Sequence, residues 1–123
     1  MQFAKRVFHI AGIYGLAVLL PQYFLEGRLG RDYPPPITHP EYFYGFVGVA
    51  AAWQVGFLII ARDPARYRLM MIPGMLEKLS FGLPAIVLYA QQRLSAVTLA
   101  FGLLDLAWFV LFLIAYRQTG RAT

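Results

Sequence analysis

Three side chains capable of acid/base chemistry lie inside long apolar stretches of this sequence: Glu77, Lys78 and Asp105. Two carboxyl groups and one amine held away from water form a set whose proton count can change, as in proton relays and general acid/base sites. Two other apolar stretches contribute Gln54 and Tyr14, whose amide and hydroxyl groups can hydrogen-bond carboxyl groups. These five residues form a candidate cluster that is either a ligand-binding site or a buried polar cluster of purely structural value.

The stretches that carry the cluster have the length of membrane spans. Each is about 20 residues long, which at a helical rise of ~1.5 Å per residue matches a hydrocarbon core of ~30 Å. Backbone polar groups in lipid must be satisfied internally, and none of the stretches shows strand alternation, so helices are expected. We predict one all-α domain, a bundle of four antiparallel transmembrane helices. The predicted spans are 7–25, 42–61, 69–90 and 94–116, with an outer proline-rich loop at 26–40.

The composition excludes several classes of protein. With 59% hydrophobic and 14% charged residues, the chain lies far outside the range of soluble domains. It has no cysteine, which excludes disulfides, thiolate metal sites and cysteine ligation of haem or iron–sulfur clusters. A cleaved signal peptide fits poorly, because the first apolar stretch continues through Pro21 into bulky residues without a small-residue cleavage site. We therefore expect a retained first helix.

The basic residues predict how the chain is oriented. Lysine and arginine are retained on the cytoplasmic side of short loops, and the N-in, C-in arrangement places seven of them inside and three outside. The seven are Lys5, Arg6, Arg62, Arg66, Arg68, Arg117 and Arg121, and the three are Arg28, Arg31 and Arg93. Because they flank spans and form no nucleic-acid motif, we expect the bilayer as the partner and no nucleic acid.

Proline and possible capping residues mark the first helix boundaries. The sequence Tyr33-Pro34-Pro35-Pro36 favours an extended path, and we predict no helix anywhere in the outer loop. Thr38 and Glu41 have the spacing of a capping box around Pro40, which predicts the start of the second span.

The next boundaries predict which spans are neighbours. Asp63 and Pro64 predict the N-cap and first residue of a helix that begins before the third span. The link from Arg62 is then so short that the second and third spans should form a tight hairpin. A short link at 91–93 likewise makes the third and fourth spans antiparallel neighbours.

The depth of the charged residues predicts that they face one another. A charged side chain at the centre of a bilayer costs at least ~2.5 kcal/mol, so Glu77, Lys78 and Asp105 should point into the bundle. Adjacent helical residues diverge by about 100°, which makes Lys78 a poor partner for Glu77 and a better one for Asp105. Glu77 would then be hydrogen-bonded by Tyr14 or Gln54, or held in its neutral form.

Two features of the spans suggest how the helices pack. Gly48, Ala52 and Gly56 form a small-residue stripe that should let another helix approach closely. Pro73 and Pro84 should kink the third span on both sides of the charged pair.

We expect neither a metal nor a cofactor. Asp32, His39 and Glu41 share the outer loop without diagnostic spacing for a metal site. An axial haem role needs two histidines in the bundle, but His9 and His39 should lie at opposite membrane faces. The main catalytic motifs are also absent from the sequence.

Two segments carry a resemblance to known proteins. The run from Tyr33 to Phe46, YPPPITHPEYFYGF, followed by Ala52-Trp53-Gln54, resembles a pattern in small uncharacterised bacterial membrane proteins. In length and four-span layout the chain is also similar to the DoxX-like group of bacterial membrane proteins. The resemblance implies a bacterial inner membrane and carries over no functional residue.

Two functional hypotheses follow. The first is a non-enzymatic protein that binds a lipid, quinone or other apolar ligand, or that serves as a subunit of a homo-oligomer or membrane complex. The second is an intramembrane enzyme or proton-coupled carrier that uses Glu77, Lys78 and Asp105, with Tyr14 and Gln54 orienting the substrate.

Overall fold

A computed structural model describes residues 2–121, except for the side chain of Arg121, and its regular structure over that range is helical. Four helices, with their flanking 3-10 turns, are long and apolar enough to cross a membrane. The chain is therefore a multi-pass membrane protein with an all-α four-helix bundle, which confirms the predicted fold class. The helices are α1 (Gln2–Leu19), α2 (Glu26–Asp32), α3 (Pro40–Arg62), α4 (Met71–Ala90) and α5 (Ala96–Arg121), with 3-10 turns at Leu20–Phe24 and Arg68–Met70.

The four spans pack as two close pairs, α1 with α3 and α4 with α5. Helix α5 also contacts α1 and joins the pairs, whereas α3 and α4 touch at few points. The predicted pairing of the third and fourth spans is confirmed. The predicted tight hairpin of the second and third spans is wrong, because α3 and α4 diverge from their short connection and leave a cleft between them.

Glycines make both close pairs possible. A Cβ atom added to Gly12 of α1 would lie 2.7 Å from the side chain of Leu58 on α3. In the other pair, a Cβ atom on Gly82 of α4 would lie 2.6 Å from the side chain of Leu106 on α5. Small residues at helix contacts allow the backbones to approach, as is typical of membrane proteins.

The small-residue stripe predicted for helix packing does not serve that purpose. Ala52 is exposed. A Cβ atom on Gly56 would meet only Trp53 of its own helix, and one on Gly48 would meet the Tyr23 hydroxyl. The prediction fails because spacing along one helix does not show which face its partner occupies.

The hydrophobic core lies in the half of the bundle near Gln2 and Arg121, which we call the packed half. Its centre is three fully buried phenylalanines, Phe8, Phe57 and Phe112, from three different spans. The Phe8 and Phe112 rings stack with centroids 4.2 Å apart, and the Phe57 and Phe112 centroids are 4.9 Å apart in an edge-on arrangement. This aromatic core fixes the helices where the two pairs meet.

Arg68 ties the start of the third span to the end of α5. Its Nε donates a hydrogen bond of 2.9 Å to the carbonyl of Tyr116, and its guanidinium lies 3.7 Å from the centre of the Tyr116 ring. A cation near the C-terminal carbonyls of a helix is also favoured by the helix dipole.

At the opposite end, which we call the open half, the predicted loop is partly helical. Helix α2 forms at Glu26–Asp32, where Arg28 and Asp32 pair at 3.6 Å across one turn. The hydroxyl of Tyr44 donates a hydrogen bond of 2.9 Å to Glu26 Oε1 and so ties α2 to α3. The prediction of a helix-free loop is wrong here, because the prolines begin only at Pro34, after the helix has ended.

Helix α3 starts at Pro40 as predicted, but with a different cap. Its N-cap is His39, and over the described residues no side chain makes a capping hydrogen bond there. The Glu41 carboxylate lies 3.1 Å from Nδ1 of His39 and does not complete a capping box with Thr38.

The start of the third span is also later than predicted. Asp63 caps a single turn, accepting a hydrogen bond of 3.3 Å from the amide of Arg66, and α4 begins only at Met71. Pro73 consequently lies in the first turn of α4, where its missing donor disrupts no helical bond, and not in the interior of the helix as predicted. Pro84 lies inside α4, which continues beyond it to Ala90.

Candidate ligand-binding cleft

A cleft of about 1080 Å³ occupies the open half between the α1/α3 pair and the α4/α5 pair. Its end farthest from the aromatic core is covered by Leu29 of α2 and by Tyr33 and Ile37 of the following loop. We call the opposite end, next to the aromatic core, the deep end. All four spans line the cleft.

On the side of the cleft, α3 does not pack closely against α4. A Cβ atom added to Gly45 would have no neighbour within 4 Å, and Val49 is 65% exposed although it lines the cleft. Phe81 of α4 and Phe101 of α5 contribute further apolar walls. Away from the deep end the lining is therefore mostly apolar, with the polar side chains Gln22, Ser80 and Thr98 among it.

The charged residues of the predicted cluster meet at the deep end. Lys78 is 3% exposed, and its Nζ lies 3.7 Å from Asp105 Oδ1, so the predicted pair is present. Nζ also lies 3.6 Å from Glu77 Oε2, which corrects our prediction that these neighbours are poor partners. The 100° divergence describes the Cβ atoms, and the four-carbon stem of lysine is long enough to bring Nζ between both carboxylates.

The ammonium group of Lys78 also contacts the aromatic core. Its Nζ lies 5.2 Å from the centre of the Phe57 ring, within the range of a cation–π interaction. The charged cluster thus packs against the aromatic core of the packed half on one side and borders the cleft on the other.

Gln54 lies at the same level on α3 and is 1% exposed. Its Nε2 donates a hydrogen bond of 2.8 Å to the carbonyl of Ala50, but its Oε1 has no partner among residues 2–121. Gly15 of α1 leaves the space that the Gln54 side chain fills, since a Cβ atom there would collide with Oε1.

Glu77 lacks the hydrogen bonds expected for it. Neither Tyr14 nor Gln54 donates to it over the described range, and its Oε2 has only the ionic contact with Lys78. Tyr14 lines the cleft, with its ring 6.0 Å from that of Trp108. All five predicted residues therefore border one cleft, but their hydrogen bonding is incomplete.

Residues considered for a metal site lie elsewhere. Asp32 pairs with Arg28, and His39 lies against Glu41, all on the exposed surface. The described part of the chain contains no group of three or more histidine, cysteine or acidic residues that could hold a metal ion.

Several apolar residues of the site were not predicted from the sequence. Phe57 supports Lys78, and Phe81, Phe101 and Trp53 line the cleft. Only Phe57 had a usable signal, because it follows Gln54 by three residues and so shares its face of the helix.

Comparison of the chain with protein-family models, curated proteins and solved structures finds no match. The function must therefore be argued from the cleft itself. An apolar cleft with a few polar groups at one end is the usual form of a small-molecule site.

Proposed function

We propose that this protein binds an amphiphilic ligand, such as a lipid or a quinone, in the cleft between α3 and α4. The polar head of the ligand would contact Lys78, Glu77 and Asp105 at the deep end, and its apolar body would lie along the walls. Binding is favoured because the charged groups gather at one end of a cleft whose walls are mostly apolar.

One observation carries this proposal: a cleft of about 1080 Å³ has apolar walls and ends at a buried charged cluster. Pockets that bury small molecules are typically ~300 to 1,000 Å³, so the cleft has room for one acyl or isoprenoid chain with a head group. Because α3 and α4 make few contacts, the apolar tail of the ligand can enter the cleft sideways from the bilayer.

The location proposed is a bacterial inner membrane with both ends of the chain in the cytoplasm. Support comes from the seven basic residues at one end and from a groove there, between α1 and α3, lined by Lys5, Arg6 and Arg62. Reporter fusions at each end test this arrangement. Activity of a cytoplasmic reporter at both ends is expected, and a periplasmic signal at either end would contradict it.

Ligand binding is tested by filling the cleft. Gly45→Phe places a ring where a side chain meets no neighbour, and Gly27→Phe puts the same ring on α2 outside the cleft lining, where a Cβ atom likewise meets nothing. Trp53 in the cleft reports occupancy, because brominated acyl chains quench tryptophan fluorescence on contact. We expect Gly45→Phe to reduce quenching and lipid co-purification, and Gly27→Phe to leave both unchanged. Equal behaviour of the two variants would contradict the proposal.

A second candidate function is a proton-coupled carrier or intramembrane enzyme. It is favoured by the sharing of one ammonium between Glu77 and Asp105, which leaves one carboxylate in excess. Under this alternative, Asp105→Asn abolishes pH-driven uptake or turnover in proteoliposomes while ligand retention persists. Binding alone would be favoured if the unaltered protein shows neither pH-driven uptake nor turnover and Asp105→Asn loses the ligand.

A further inference from the structure

Two buried oxygen atoms of residues that line the cleft lack a hydrogen-bond donor. Gln54 Oε1 and Glu77 Oε2 are buried and have no hydrogen-bond donor within the described chain. The nearby ammonium of Lys78 is shared between two carboxylates. Because unpaired buried acceptors are costly, a ligand that supplies N–H or O–H groups gains more than one that brings further acceptors.

The charges at this end are also unbalanced. The titratable groups that line the cleft are Glu77 and Lys78 from α4, Asp105 from α5, Tyr14 from α1 and, at the far end, Tyr33. Helix α3 contributes no titratable side chain to this lining. With both carboxylates ionised the set carries one net negative charge, and a head group with one positive charge would neutralise it.

The remaining surroundings suit a cation with an apolar tail. Trp53 and Phe81 line the cleft, and aromatic faces attract ammonium groups. Most of the remaining lining is apolar, with the polar side chains Gln22, Ser80 and Thr98 among it. A quinone head presents carbonyl acceptors, and a phosphate head adds negative charge, so both fit the deep end less well.

We propose that the cleft selects an amphiphile whose head is a protonated amine, which donates hydrogen bonds to Glu77 and Asp105 and balances their charge. This inference rests on the proposed function, since it names the chemical class of the ligand for the same cleft. It predicts a ranking of head groups on one common tail.

The test compares four compounds with the same dodecyl chain on the full-length protein in phosphatidylcholine nanodiscs. Dodecylamine supplies a positive charge and hydrogen-bond donors, whereas dodecyltrimethylammonium supplies the positive charge alone. Dodecan-1-ol supplies a neutral donor, and dodecanoate supplies a negative charge. Binding is measured by displacement of brominated lipid from Trp53. We expect dodecylamine to bind about tenfold more tightly than the other three, because charge-assisted hydrogen bonds are the stronger ones.

Two variants with the same change in charge sharpen the test. Glu77→Gln should reduce the preference for dodecylamine over dodecan-1-ol about tenfold, since it removes the excess negative charge. Asp32→Asn removes a carboxylate that pairs only with Arg28 on the surface, and should leave the preference unchanged. The ranking on the unaltered protein remains decisive if Glu77→Gln does not fold.

The outcomes separate this inference from the function on which it rests. Equal binding of all four compounds, or a preference for dodecanoate, overturns the amine proposal. The cleft is still a binding site in that case if Gly45→Phe blocks binding. If no compound displaces the brominated lipid and Gly45→Phe changes nothing, the proposed function itself fails.

Discussion

The two halves of this bundle use aromatic residues in opposite ways. In the packed half, Phe8, Phe57 and Phe112 are fully buried against one another. In the open half, Phe46 and Phe101 are 50% and 41% exposed and line a cleft instead of filling it. Close packing and the proposed ligand contact therefore lie at different ends of the same four helices.

The charged cluster lies at the boundary between these halves. Lys78 contacts Phe57 below it and faces the cleft with its two carboxylate partners. A buried ammonium needs both a rigid support and compensating charge, and the boundary offers both. Substitutions on either side should therefore have different effects on stability and binding.

The largest effect is expected from truncating a ring in the packed half. Phe112→Ala should lower the free energy of unfolding by about 4 kcal/mol, because it leaves a cavity among stacked rings. Phe101→Ala, on the same helix but in the cleft wall, should cost less than about 1 kcal/mol and weaken ligand binding instead. Denaturant unfolding in micelles and the brominated-lipid assay measure the two effects. Similar losses of stability in both variants would contradict the division into halves.

The next largest effect concerns the boundary itself. Lys78→Met should destabilise the protein by about 3 kcal/mol, because it leaves two partly buried carboxylates without their counter-ion. Adding Glu77→Gln and Asp105→Asn to the same chain removes both charges and should restore most of that stability. The same unfolding assay compares the single and triple variants. If the triple variant is no more stable than Lys78→Met, the ion pairs do not account for the loss.

A smaller effect is expected at the end of the packed half. Arg68→Ala removes the hydrogen bond to the Tyr116 carbonyl and the ring contact, and should cost about 2 kcal/mol. Arg66→Ala, two residues earlier and exposed, should cost no more than about 0.5 kcal/mol. Thermal unfolding measures Tm for both variants. Equal shifts in Tm would show that Arg68 does not anchor α5.

Whether a feature of the two halves could be predicted from the sequence depends on whether its cause lies in one residue or in a contact between distant residues. The cost of a charge in lipid is a property of one residue and its depth, so the convergence of Glu77, Lys78 and Asp105 was predictable. Which helices pack closely depends on glycines meeting bulky residues of another helix, as Gly12 meets Leu58. Nothing in the neighbouring sequence distinguishes Gly12 from Gly56, whose added Cβ atom would meet only Trp53 of its own helix.

Capping signals failed for a related reason. An aspartate before a proline can cap either a helix or a single turn, and Asp63 caps a turn. The later start of α4 coincides with the contact between Arg68 and Tyr116, which are 48 residues apart. Tertiary contacts of this kind leave no trace in the neighbouring sequence.

The smallest effect comes from adding one methyl group, which should change the free energy of unfolding in opposite directions in the two halves. Gly45→Ala in the cleft adds a Cβ atom that meets nothing and removes the entropic cost of a helical glycine, so stability should rise by about 0.5 kcal/mol. Gly12→Ala makes the same change against α3, where the new atom would lie 2.8 Å from the carbonyl oxygen of Gln54, and stability should fall. Because helix propensity changes equally in both variants, the difference between their unfolding free energies isolates helix packing. A rise in both would mean that α1 and α3 have room to separate, and the packed half would then be looser than its contacts indicate.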